Sequence, residues 1–272
     1  MQLLLDHGAQ VDQLGDDSWG TALQLACNQG SMEAVQFLLD HGADVNAEGG
    51  SRFGTPLQAA ARRKVLAWTL ARCDKYSQQT KVLILELLLD SGAMINQQGG
   101  EWGSTLQAAC QNPDVKVLRL LLERGADINA SGGMNGSALM IACGVNDEDD
   151  AMNSTECIQL LLECGADVNA QSEEHGTALM AACGVHFKDA ERVQMLLNHG
   201  ANVNAQGGKY GTALMAACQE GEDRRDIRVW RFPPDRDYFS LGSVPVAQLS
   251  KLWDRALGGL QLGPLRAGAT AA

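Results

Sequence analysis

The pair Gly-Ala recurs at Gly8, Gly42, Gly92, Gly125, Gly165 and Gly200, at intervals of 34, 50, 33, 40 and 35 residues, and each copy is followed by a version of Asp-Val-Asn. A second glycine keeps step with it at Gly20, Gly54, Gly103, Gly136, Gly176 and Gly211, each followed by Thr or Ser and, two residues further on, by Leu. A period of this size means that the chain is built from copies of one supersecondary unit, none of which can bury its own apolar stripe. The copies must stack to form a continuous core. The length of 272 residues would otherwise suggest about two globular domains; the repeat overrides that expectation.

Two helical patterns lie between the glycines. The first runs Thr21-Ala22-Leu23-Gln24-Leu25-Ala26-Cys27 and returns at Thr55–Ala61 and Thr177–Cys183. Its Thr or Ser predicts an N-cap, and Pro56 is tolerated in the first helical position because its missing N–H would be unpaired there anyway. The second pattern places apolar residues at i, i+3 and i+4, as in Val35, Leu38, Leu39 or Ile158, Leu161, Leu162, and stops at the Gly-Ala glycine, which predicts a left-handed C-terminal cap. Each unit therefore reads as helix, turn, helix and a glycine-rich loop.

These units resemble the ankyrin family, whose repeat of about 33 residues carries a Thr-Pro-Leu-His-x-Ala signature. The motif Leu-Leu-x-x-Gly-Ala-Asp-Val-Asn-Ala stands nearly intact at Leu38–Ala47 and Leu161–Ala170, and the resemblance covers residues 1 to about 227. It implies an all-α ankyrin-repeat solenoid of stacked helix-turn-helix units joined by finger loops, with protein binding as its work. The sequence departs from the family pattern in two ways. The signature histidine is Gln at 24, 58 and 107 and Met at 140, 180 and 215, so its hydrogen bond is expected to be weakened or lost. The usual Asp-Gly fingertip is replaced by an earlier Gly-Gly, as at Gly49-Gly50, Gly99-Gly100, Gly132-Gly133 and Gly207-Gly208. That variant is similar to the repeat arrays of large fungal proteins that join ankyrin repeats to a nucleotide-binding switch domain.

Hydrophobic residues make up 45% of the chain but aromatics only 5%, which suits thin helix layers filled by Ala, Leu and Val. Of the net charge of -12, residues 1–221 hold 27 acidic and 13 basic side chains while residues 222–272 come out at +2, so the body repels phosphates and favours neutral or basic protein partners over nucleic acid. The longest apolar run, Val82–Leu89, is broken by Glu86 and too short to span a membrane. No signal peptide opens the chain, and a cytoplasmic location is the default expectation.

Candidate chemistry is sparse. Cys27, Cys110, Cys143, Cys183 and Cys218 share one register, where Ala61 stands in the remaining repeat, and read as small buried hydrophobes spaced too widely for disulfides. His7, His41 and His199, with Arg124 in the same place, read as groups capping helix C-termini. The run Asp147–Asp150 lacks the alternating ligands of a calcium loop and reads as a solvated connection. No phosphate loop, nucleophile elbow or zinc motif is present, so no catalytic residue, metal or cofactor is predicted. The most suggestive positions precede the second glycine: Trp19, Phe53, Trp102, Asn135, His175 and Tyr210. Their rings either cover the backbone of the next finger and stiffen the array, or line the groove between fingers and inner helices as partner-binding residues, for which Trp19, Phe53, Trp102, His175 and Tyr210 are the candidates.

The predicted organisation is a half repeat at 1–17, five complete repeats over 18–208, a broken repeat at 209–227 and a non-repeat tail at 228–272 with one helix over 245–257. Three repeats carry extra residues between their helices; the largest insertion, with Arg62, Arg63, Lys64, Val65, Leu66, Trp68, Leu70 and Tyr76, is expected to prolong the first helix, as a partner site or as a plain edge insertion. Met1 falls inside a second helix, which exposes Leu3, Leu4 and Leu5 and predicts a fragment of a longer array, with further repeats before Met1, or a gene product missing its upstream exons. The functional expectation is a non-catalytic interaction module, the recognition or scaffold array of a larger intracellular protein, binding a protein ligand on its finger and inner-helix surface. The alternative is a substrate-recruiting part of an enzyme, such as a ubiquitin-ligase adaptor.

Overall fold

The structure is a computed structural model that describes residues 1–15, 20–50, 54–62, 70–133, 136–144, 151–184 and 190–218, with the backbone alone at 70–78 and 151–153. The expected break near Ile227, the helix over 245–257, the loop at Asp147–Asp150 and the insertion residues Arg63 to Trp68 lie outside the described residues.

Helix α1 (Gln2–Asp6) stands alone, after which the helices come in pairs: α2 (Ala22–Gln29) with α3 (Met32–Asp40), α4 (Pro56–Arg62) with α5 (Leu70–Asp90), and α6 (Thr105–Cys110) with α7 (Val115–Glu123). The series continues with α8 (Ala138–Gly144) and α9 (Ala151–Glu163), α10 (Ala178–Gly184) and α11 (Ala190–Asn198), and the last described helix is α12 (Ala213–Cys218). First helices stack on first helices, from α2 through α4, α6, α8 and α10 to α12, and second helices stack likewise from α3 to α11. The result is an inner and an outer layer, the all-α repeat stack that the glycine series predicts.

Local chemistry explains each element. Thr21, Thr55, Ser104, Ser137, Thr177 and Thr212 all cap inner helices, their hydroxyls accepting from the backbone N–H three residues on. Each outer helix closes in the same way: at α3 the Ala43 N–H reaches Leu38 O at 3.0 Å and the Gly42 N–H reaches Leu39 O at 3.0 Å. This double closure requires a left-handed residue, and Gly42 supplies it at φ +82°. The Gly-Ala pair is thus a helix terminator. His7, His41 and His199 place Nδ1 at 2.7, 2.7 and 2.8 Å from the carbonyls of Leu3, Phe37 and Met195, which makes them the expected C-terminal caps. Arg124 does not join them; its guanidinium reaches back to Asp90 of the preceding repeat at 3.1 Å.

The expected fate of the signature hydrogen bond is corrected by the glutamines. Gln58 is buried; its Oε1 accepts from the Thr55 N–H at 3.0 Å, while its Nε2 donates to Gln97 O at 3.0 Å and Gly103 O at 2.7 Å in the next repeat. Gln24 and Gln107 do the same, each donating to two or more carbonyls of the following finger. A carboxamide carries both a donor and an acceptor, so one side chain caps its own helix and ties down the next repeat. Gly54 makes room for it: with φ +68°, a Cβ there would lie 1.8 Å from Gln58 Oε1. In the later repeats Met140 and Met180 fill the same space with a thioether that makes no such bond.

The largest insertion is described from Leu70 on. Among the described residues α4 spans Pro56–Arg62 and α5 spans 21 residues, Leu70–Asp90, so the described part of the insertion, from Leu70 on, belongs to the outer helix. Residues 70–81 hold no Gly or Pro and continue directly into the apolar stripe that anchors Leu85 and Leu88. A formed helix propagates cheaply into such a segment.

Replacing Gln58 with Met, the residue this chain itself uses in the same register, should strand the Thr55 N–H and the Gln97 and Gly103 carbonyls. The expected loss is about 1–3 kcal/mol, read as a lower urea midpoint with an unchanged denaturant slope.

Candidate interaction surface

The fingers stack backbone on backbone. A Cβ on Gly103 would lie 2.9 Å from Gly132 O, and one on Gly208 would lie 2.3 Å from Gly176 N. The Gly-Gly fingertips are therefore contact points between repeats. Isolated bridges pinch the fingertips shut, Gly99 with Gly103, Ser172 with Gly176 and Gly207 with Gly211. Between neighbouring fingertips lies a shallow crevice lined by Glu48, Gly49, Gly50, Gly54, Gly99 and Gly100, which offers backbone and a single carboxylate.

Below the fingertips runs a ladder of asparagines. Asn46 accepts from the Met94 N–H at 2.8 Å and donates to Gly92 O at 3.1 Å; Asn96 accepts from Asp127 at 2.8 Å and donates to Gly125 at 3.0 Å. Asn129 repeats the pattern with Asp167 and Gly165 at 2.8 and 3.4 Å, and Asn169 with Asn202 and Gly200 at 2.8 and 3.1 Å. At the first step Asp12 can only accept, from the Asp44 N–H at 3.0 Å. The motif Asp-Val-Asn marks these positions in the sequence, but nothing in it says that each amide bonds to the next repeat.

The candidate aromatic positions divide. Trp19, Phe53 and Asn135 lie outside the described residues. Trp102 is 5% exposed, with the Arg62 guanidinium 5.1 Å from its ring centre and the Gly133 backbone against its own main chain. Its indole N–H meets no acceptor among the described residues. His175 is buried as well, its backbone N–H held by Ser172 Oγ at 3.0 Å. Tyr210 is half-buried, and its ring lies 3.5 Å from where a Cβ on Gly184 would be. Arg62 and Gly184 occupy the same register at the end of an inner helix, so Trp102 and Tyr210 both fold back over the preceding repeat. Stacking of the fingers buries both Trp102 and His175, which accords with the expectation of side chains that cover the neighbouring finger. Tyr210 keeps an accessible face, with the Lys209 ammonium 4.7 Å from its ring centre.

Exposed carboxylates outnumber exposed cations on the described fingers. Glu48, Glu173 and Glu174 are exposed on the fingers and Glu101 is half-exposed, against Lys209. No described helix is long and apolar enough to cross a membrane, and among the described residues no three His, Cys, Asp or Glu side chains converge as metal ligands. The cysteine column is buried at Cys27, Cys110 and Cys143, and burial pushes these thiols up, Cys143 to about 12. Cys157 is raised to about 12 and Cys183 to about 11 by the same cause. Thiols held in that state are poor nucleophiles and poor ligands.

The family model described as "Ankyrin repeats (3 copies)" matches this chain over residues 1–79, 76–172 and 139–227. Many solved structures share the fold. The human ASB11 ankyrin repeat domain superposes with a TM-score of 0.60 at 23% identity, over 80% of this chain and 86% of that one, a likeness that shows the fold alone. No curated protein matches the chain.

Trp102→Ala should cost about 3–5 kcal/mol of stability in a denaturant titration, whereas Tyr210→Ala should cost about 1 kcal/mol. A maleimide reagent should label Cys164 and Cys218, both exposed, in the folded protein, and should reach Cys27, Cys110, Cys143 and Cys157 only after denaturation; mass spectrometry of the labelled peptides reads the difference.

Proposed function

This chain belongs to the ankyrin-repeat family, and on that premise we propose that its finger and inner-helix surface holds a neutral or basic stretch of a protein ligand, as the recognition or scaffold array of a larger intracellular protein. Ankyrin repeats are protein–protein interaction modules, generally without catalysis. The observation that carries the finer reading is the sign of the finger surface: Glu48, Glu101 and the pair Glu173 and Glu174 stand on three of the fingers, on a body whose net charge over residues 1–221 is -14. Such a field steers basic partners and repels phosphate backbones. Tyr210, beside Lys209, supplies a ring at the edge of that surface, and aromatic side chains of this kind anchor interfaces.

A cytoplasmic setting is part of the proposal. Its support is that all seven described cysteines are free thiols, the usual state in a reducing compartment.

Affinity capture from cell extract, followed by binding measurements on the captured protein, tests the reading. Tyr210→Ala should weaken the complex by about 2 kcal/mol. Reversing Glu173 and Glu174 to Lys should slow association and flatten its salt dependence, with the melting temperature little changed. Binding indifferent to both changes would place the ligand elsewhere.

A further inference from the structure

One register of this array carries two side chains of similar size. Gln24, Gln58 and Gln107 hold it in the first three complete repeats and Met140 and Met180 in the next two, and all five are buried. In the glutamine repeats the carboxamide oxygen accepts from the backbone N–H of the capping residue three positions earlier, Thr21 at 2.5 Å, Thr55 at 3.0 Å and Ser104 at 2.6 Å. The methionine repeats keep the cap and lack the acceptor. Ser137 and Thr177 still take the Met140 and Met180 N–H groups on their hydroxyls, at 3.4 and 3.3 Å, but their own backbone N–H groups meet no acceptor among the described residues. Both residues are buried, Ser137 at 8% and Thr177 at 2% exposure. A buried N–H without an acceptor is rare and costly.

The sulfur stands where the missing oxygen would have to be attached. Sδ of methionine and Cδ of glutamine are both the third atom of the side chain, and a Cβ added to Gly136 or Gly176 would run into the Met140 or Met180 sulfur as one added to Gly54 runs into the Gln58 carboxamide. An oxygen bonded to Sδ therefore takes the place of Oε1, and the methyl group that of Nε2. Ordinarily a sulfoxide disrupts an apolar layer, because its oxygen finds no donor there. Here a donor is already in place.

We propose that Met140 and Met180 are oxidation sites built into the array, at which a peroxide converts the thioether to a sulfoxide whose oxygen accepts from the Ser137 or Thr177 backbone N–H. A lone pair on the sulfur attacks one oxygen of hydrogen peroxide; the S–O bond forms as the O–O bond breaks, and the second oxygen leaves as water with both protons. The sulfur gives up the electron pair that the peroxide gains. Since both side chains are buried, at 1% and 0% exposure, the reagent reaches them as the finger lifts from its inner helix, and the finger that follows a methionine lacks the amide donor that holds the others down. The modified side chain restores the half of the glutamine clamp that caps its own helix and leaves the finger carbonyls without that donor. Peroxide thus stiffens these two repeats instead of disrupting them.

Oxidation of the folded chain with hydrogen peroxide, followed by peptide mass spectrometry and urea titration, tests this. Met94, which is 62% exposed, should gain its oxygen first, and Met140 and Met180 should each gain one later while the chain is still folded. A variant with Met140→Leu and Met180→Leu keeps every other methionine and cannot form the two sulfoxides. Peroxide should therefore raise the urea midpoint of the parent relative to its effect on this variant, by about threefold to tenfold in the folding equilibrium constant for each sulfoxide. Met140→Gln with Met180→Gln should raise it further without peroxide, because the carboxamide supplies acceptor and donor together. The proposal is overturned if the two residues stay unmodified until the chain unfolds, or if the oxidised parent gains nothing over the oxidised leucine variant. Glutamine variants less stable than the parent would overturn it as well, since the register would then not hold the bond.

Discussion

A leucine such as Leu57 or Leu106 is out of water only because a neighbouring repeat lies on it. No unit here is thick enough to own a core; the six to eight residues of an inner helix, and the nine of outer helices such as α3, α7 and α11, have one usable face each way. Stacking is therefore the interaction on which everything else depends. The contrast within one register makes the point: Leu139 is fully buried between neighbouring repeats, and Leu214, chemically the same residue in the same motif, is exposed in the last described inner helix.

Apolar stacking by itself has little sense of register, since Ala and Leu slide over Ala and Leu. Polar groups set the spacing. The glutamines tie inner helices to the next finger, and the asparagines tie each turn to the turn after it. Both are carboxamides that give and accept at once, so a single side chain satisfies backbone groups on both sides of a junction. Where Met replaces Gln, as at Met140 and Met180, the packing volume is kept and the bonds are not, which leaves the asparagine ladder as the polar link common to the whole array.

The same stacking decides what is left for binding. Fingers that touch backbone to backbone enclose Trp102 and His175, turning residues that look like contact points into braces. The surface that remains is carried by exposed side chains, among them the finger glutamates, and by the part of Tyr210 left uncovered. Rigidity below and polarity above suit a scaffold whose specificity lies in exposed side chains and not in its fold.

The sequence by itself determined whatever is local. The Gly-Ala terminators, the Thr and Ser caps and the histidine caps follow from bonds between residues at most five apart, while the helix pairs and the cysteine column show in the periodic spacing. Only the tertiary structure decided what Gln58, Asn96 and Trp102 do, because their partners stand in neighbouring repeats, more than twenty residues away in the chain. It also decided that the residues from Leu70 on lengthen α5, which is anchored by Leu85 and Leu88. A repeated motif says that the copies stack; which atoms meet across each junction is settled by the geometry of the stack, and that geometry has no local signature.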